Sequence, residues 1–222
     1  MSWKYLSYSL NSETYGYGNG DRFELNQIRS MCCGDTSNNS EFKMPTHFGT
    51  HIDYPFHFDS HGKTSSDYIA NDFIFTSIKI IEVVGEVDDY IIKNKNLRID
   101  KIDSTVDFLI VKTGFTYKRN TNEYWEKGFG FHPETANYLK HNFPNIKCIG
   151  FDLISLNSYK NRPLGRISHK AFLKENDILI VEEMDLRNIS ENSIIKQLII
   201  APLQLEQADG APCTILAQID ED

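Results

Sequence analysis

Residues 46–58 read THFGTHIDYPFHF, and the alternation inside this run limits what the chain can become. In an extended chain every second side chain faces the same way. His47, Gly49, His51, Asp53, Pro55 and His57 then share one face, while Phe48, Ile52, Tyr54, Phe56 and Phe58 occupy the other. The apolar face is the one a half-buried strand turns to its core, so the aromatics at 48, 54, 56 and 58 are expected there. The opposite face carries three of the chain's seven histidines and a carboxylate, and must look into something polar. Positions four apart on a straight strand are about 13 Å apart, too far to share one ion. Gly49, Thr50 and Pro55 argue against a helix that would bring them together. Glycine permits a sharp turn, so the segment is expected to bend at Gly49–Thr50 and fold His47 back toward His51 and Asp53.

Imidazole nitrogens with carboxylate oxygens suit zinc, manganese or iron(II). An ion with an open position lowers the pKa of bound water and makes a nucleophile near neutrality. On spacing, His57 is either a further ligand or a general acid/base beside that water. Any one of these histidines taken singly reads as a hydrogen-bonded structural residue; three with an aspartate on one face read as a metal site.

The rest of the chain fits a single domain, residues 1–222. A formal charge of −8 and the lack of a basic run speak against nucleic acid and anionic membrane as partners. No apolar run approaches a spanning helix, and the N-terminus MSWKYLSYSLNSE has no secretory h-region. The four cysteines follow neither a disulfide framework nor a CxxC spacing; Cys148 and Cys213 read as buried, and Cys32–Cys33 as loop or core packing. A cytoplasmic protein with reduced thiols is expected.

Strands are expected at 4–9, 22–30, 73–86, 106–113 (stopped by Gly114), 146–152, 178–182, 195–206 and 213–219, with ADGAP reversing the chain between the last two. Residues 14–21 form a Gly/Tyr-rich loop. Helices are expected at 133–141, led by Pro133, and at 168–174. Strands and helices mix without strict alternation, which implies one α/β or α+β domain around a mixed sheet.

The run HFGTHIDYPFHF at 47–58 resembles the signature of the cyclase-like metal-dependent hydrolases, the family that includes bacterial kynurenine formamidases and isatin hydrolases, at every fixed position. The resemblance continues through LIVKTG at 109–114, IGFDLISLNS at 149–158, SHKAFLKENDILIVEEMDL at 168–186 and APLQLEQADGAPCTILA at 201–217. It implies a single α/β domain of the swivelling β/β/α type. It implies that His47, His51, Asp53, His169 and Glu182 bind metal, with Zn²⁺ or Mn²⁺, one or two ions per chain, and that His57 is the acid/base. Glu183 follows Glu182 directly, and alternation places only one of the pair on the site face; Glu182, which ends the strand, is taken. The family's opening Asp-x-Ser and proline-rich segment differ here, with Tyr5, Gly16, Gly18 and Asn19 in their place; Tyr15 or Tyr17 would supply the aromatic substrate contact. The resemblance further implies a small-molecule substrate and a homodimer or homotetramer. The implied reaction is hydrolysis of a small amide, formamide or lactam by a metal-bound hydroxide. A cyclase or dehydratase acting on a polyketide-like compound, and a non-catalytic metal- or ligand-binding protein on the same scaffold, are the other two readings.

Overall fold

Phe108–Lys112 reads FLIVK, with no polar residue before its last position, and such a run marks a strand buried on both faces. In the computed structural model, which describes residues 1–20 and 22–220, it lies inside a nine-stranded mixed sheet. Asp21, the last residue of the expected Gly/Tyr-rich loop, lies outside the described residues. In chain order the strands are β1 (Ser2–Tyr5), β2 (Glu24–Arg29), β3 (Asn39–Lys43), β4 (His51–Asp53), β5 (Ile74–Phe75), β6 (Ile78–Glu82) and β7 (Ile91–Ile92). They continue as β8 (Phe108–Lys112), β9 (Gly130–Phe131), β10 (Cys148–Phe151), β11 (Leu179–Glu182), β12 (Ile195–Pro202) and β13 (Gly210–Ile219). The helices are α1 (Glu123–Glu126), α2 (Pro133–Asn142) and α3 (Arg162–Lys170).

The sheet order is β5-β12-β13-β4-β11-β10-β8-β6, and β1 also pairs with β13. Strands β6, β8, β10 and β11 run parallel; β4 joins β11 and β13 antiparallel to both. Alternation along β8 divides the interior. Phe108 and Ile110 face a core shared with Ile52, Val181 and Ala211, whereas Leu109 and Val111 face a second core shared with Ile149, Ile180 and Phe172. Ala136 and Leu139 of α2, with Phe172 and Leu173 just after α3, close that second core. The fold is a single α/β domain around a mixed sheet, as expected.

Several expectations change in detail. The expected strand 73–86 divides into β5 and β6, which pair with β12 and β8 respectively, so the chain must turn at Thr76–Ser77. The region 22–30 does extend, but as one strand of a hairpin with β3 that is exposed throughout, with Cys32 and Cys33 exposed in its connecting turn. Strand β12 ends at Pro202, and β13 begins at Gly210, inside ADGAP, so the reversal occupies the residues before it. The expected helix at 168–174 begins earlier, because Asn161 accepts from the Leu164 N–H as its N-cap and Pro163 sits in the first turn. The extended alternation of 47–57 holds only for His51–Asp53; Pro55–His57 form a 3₁₀ turn. That turn leaves Phe56 39% exposed instead of in the core.

Candidate metal centre and active site

Strand register assembles the floor of the site. Ile52 and Val181 enter the first core, so His51, Asp53 and Glu182 emerge on the opposite face of neighbouring strands. His51 pairs with Glu182, and Asp53 with Ile180. His169, on the last turn of α3, descends onto the same face. Its Nε2 lies 3.4 Å from Glu182 Oε1 and 3.8 Å from Asp53 Oδ2. His51 Nε2 lies 3.3 Å from Asp53 Oδ1 and 3.4 Å from Glu182 Oε2. All four side chains are 5% exposed or less, so solvent does not screen these charges.

Backbone carbonyls set both imidazoles. His51 Nδ1 donates to Gly49 O at 2.7 Å and His169 Nδ1 to Gly165 O at 2.8 Å. Each ring therefore turns its other nitrogen toward the carboxylates, the arrangement by which proteins hold metal-ligating histidines. His51 Nε2 and Asp53 Oδ2 are buried and make no hydrogen bond of good geometry among the described residues. Orphaned buried polar atoms are rare, and an imidazole nitrogen and a carboxylate oxygen so placed suit a shared cation. The donor set fits an ion with nitrogen and oxygen ligands. Glu182 is itself aimed by the Leu156 N–H at 2.6 Å and the Ser155 hydroxyl at 3.2 Å.

His47 arrives by the bend expected at Gly49, whose φ is +63° and where a Cβ would strike Leu10. Its ring lies against Gly210, and a Cβ there would overlap His47 Cε1. His47 Nδ1 sits 2.8 Å from Asp53 Oδ1. His57, returned by the 3₁₀ turn, stacks on His47 with ring centroids 3.8 Å apart. Its own Nδ1 donates to Asp209 Oδ2 at 3.2 Å. His47 and His57 are 22% and 27% exposed, and form the open lip above the buried floor. Two donor groups result, His51–Asp53–Glu182 and His47–Asp53–His57, sharing Asp53.

Burial pulls the His47 pKa down, but the charge of Asp53 and hydrogen bonds to Asp209 and Asp53 outweigh it and hold it at about 9. Burial likewise opposes charge on His51 and His169, yet their carboxylate partners raise both. Against its own burial, Asp53 is held well below the usual range by His47 and His51. Glu182, opposed by burial and by Asp53, is lowered by His169 and His51.

The structure thus gathers all six of His47, His51, Asp53, His57, His169 and Glu182. Glu183 turns away, with φ +56°, to pair with Arg119 at 2.7 Å; burial pushes its carboxyl up to about 7 despite that cation. Tyr17 accepts from Asn157 Nδ2 at 3.0 Å, beside the Ser155–Leu156 segment that aims Glu182. Tyr15 is placed apart, near Arg22 in a cleft with Asn120. Asp209 is the site residue the sequence did not yield, because ADGAP reads as a turn. His61 is exposed, and His132 caps α2.

The sequence profile of the family described as "Putative cyclase" matches residues 5–158. The chain belongs to this family. Among its cyclase-family relatives, "Cyclase-like protein 3" of Oryza sativa subsp. japonica is 31% identical over 191 residues, 82% of this chain and 66% of that protein. This chain therefore spans just under two thirds of that relative. A "Kynurenine formamidase" of Geobacillus thermodenitrificans is 32% identical over 182 residues, 79% of this chain and 77% of that one. The fold matches that of isatin hydrolase A from Labrenzia aggregata with a TM-score of 0.80 at 19% identity, over 99% of this chain and 94% of that one.

Proposed function

We propose that this cyclase-family chain is a metal-dependent hydrolase acting on a small amide, formamide or lactam. One observation carries the reading: two buried imidazoles, locked by backbone carbonyls, present Nε2 to two buried carboxylates, and a third imidazole stands at the open lip. The similarity to a kynurenine formamidase supports the substrate class. His47, His51, Asp53, His169 and Glu182 hold the ions, zinc or manganese, one or two per chain, with Asp53 within reach of both His47 and His51. Bound there, such an ion polarises a carbonyl and lowers the pKa of water. Asp209 accepts from His57 Nδ1, which leaves Nε2 to take a proton during attack and return it to the leaving nitrogen. Tyr17, rather than Tyr15, lies on the side of the site where an aromatic substrate contact would serve. The protein works as a homodimer in the cytoplasm. Among the described residues no helix is long and apolar enough to cross a membrane, and all four cysteines are free.

Metal-loaded protein is expected to hydrolyse N-formylkynurenine or isatin. His57→Ala should keep its metal and lose roughly a hundredfold in kcat, the scale of a lost general acid/base. Metal-loaded protein that turns over no member of an amide, formamide and lactam panel would overturn the proposal. Loss of metal from His57→Ala would instead make His57 a ligand.

A further inference from the structure

Asp209 stands outside the ligand set, yet one of its oxygens meets two of the site's imidazoles. Oδ2 lies 2.9 Å from His47 Nε2 and 3.2 Å from His57 Nδ1. Oδ1 accepts from the Thr46 hydroxyl at 3.3 Å. The two rings it touches are stacked, with planes 28° apart. One carboxylate thus spans a stacked pair.

The backbone holds this carboxylate in place although its side chain is 37% exposed. Asp209 O accepts from the Tyr54 N–H at 2.9 Å, and the next residue, Gly210, pairs with Asp53. The residues before it are tied down too: Ala208 N donates to Ser65 Oγ at 2.9 Å, Ser65 N donates to Ala208 O at 3.0 Å, and Gln207 N donates to Ser66 Oγ at 2.9 Å. A solvated surface aspartate needs no such frame.

An ionised carboxylate only accepts hydrogen bonds. Both nitrogens that face it must carry hydrogen. His47 Nδ1 faces a carboxylate too, Asp53 Oδ1 at 2.8 Å, so an ion that binds beside Asp53 takes the place of the hydrogen on Nδ1 while Asp209 keeps the one on Nε2. For His57 the hydrogen on Nδ1 leaves Nε2 with the lone pair. Unheld, each ring would divide between two tautomers, and the wrong tautomer neither ligates nor accepts a proton at the needed atom. We propose that Asp209 is a positioning residue that gives the stacked imidazoles their separate roles, His47 as a ligand through Nδ1 and His57 as a proton carrier through Nε2. Only the second role rests on the hydrolase reading; the first requires a metal site alone.

The test uses Asp209→Ala and Asp209→Asn in the full chain, with three readouts. Zinc affinity should fall about tenfold in Asp209→Ala, as for other carboxylates behind a ligating histidine. Long-range ¹⁵N–¹H spectra of zinc-loaded protein should show His57 as the Nδ1–H tautomer in wild type and as a mixture in Asp209→Ala. Activity should fall in kcat by about tenfold or more, with KM unchanged. Asp209→Asn, which keeps the shape and one acceptor but not the charge, should fall between, and it decides the matter if the alanine variant does not fold. A merely structural residue would lower Tm and leave the tautomer and zinc affinity alone. Wild-type zinc affinity together with an unchanged His57 tautomer in the variants would overturn the proposal. If wild type hydrolyses no amide while affinity and tautomer shift as expected, the hydrolase reading fails and the positioning role of Asp209 stands.

Discussion

At the scale of the residue, the charge on the imidazoles governs how an ion enters. The His47 pKa is raised from an ordinary 6.5 to about 9, so at neutral pH the metal-free site holds a proton there. The proton bonds to carboxylates that only the folded chain brings to it, so its stabilising effect is complete below the unfolded value and is lost as pH rises through the folded one. Metal-free protein should therefore lose thermal stability between about pH 7 and pH 9, while zinc-loaded protein should not. Loading at pH 7 must expel that proton, and apparent zinc affinity should climb with pH through about 9, where half of His47 is neutral. Calorimetry in two buffers of different ionisation enthalpy measures the released protons; a pH-independent affinity with no release would refute the assignment. The signature residues were legible because imidazoles on one face of an apolar-backed run have no use in a core. Glu182 followed from alternation, which sends Glu183 to Arg119. Asp209 was not legible: an aspartate before glycine reads as a turn, and only the fold lays it 162 positions from His47 in sequence and 2.9 Å away in space.

At the scale of the element, β4 is three residues long yet pairs on both sides, and its register decides the site. A slip of one residue would send His51 and Asp53 into the core and Ile52 into the ion's place. Gly210 shows how tight this arrangement is. Gly210→Ala should push the His47 ring off its seat, lower zinc affinity by roughly tenfold or more, and cost about 1–3 kcal/mol of stability as an overpacked substitution. Titration with zinc and thermal melts would measure both; unchanged affinity would show that His47 does not depend on that contact. The central strands and α2 were legible from continuous apolar runs and from Pro133. The break between β5 and β6 was not, since the apolar composition runs through it and only the partners change. The early start of α3 lay in Asn161 and Pro163, a cap and first turn hidden in a loop-like stretch.

At the scale of the whole molecule, the hairpin of β2 and β3 is the element that one chain leaves unexplained. Leu25, Ile28, Met31 and Phe42 are all more than half exposed on it. A two-stranded ribbon is marginal in water without a partner surface, and clustered exposed apolar side chains mark contact sites. We propose that a second copy of this chain buries this ribbon. The double variant Leu25→Asp, Phe42→Asp should shift the mass in solution toward the monomer by sedimentation; an unchanged mass would place the contact elsewhere. The nine-stranded sheet assembles the candidate metal centre between β4, β11 and α3. The measurement that reaches it most directly is elemental analysis of protein purified without chelator and then reconstituted, run beside Asp53→Ala. The expected result is zinc or manganese at one or two ions per wild-type chain and none in the variant, which lacks the carboxylate both donor groups share. Wild-type protein that retains neither ion after reconstitution would rule out a metal centre at Asp53.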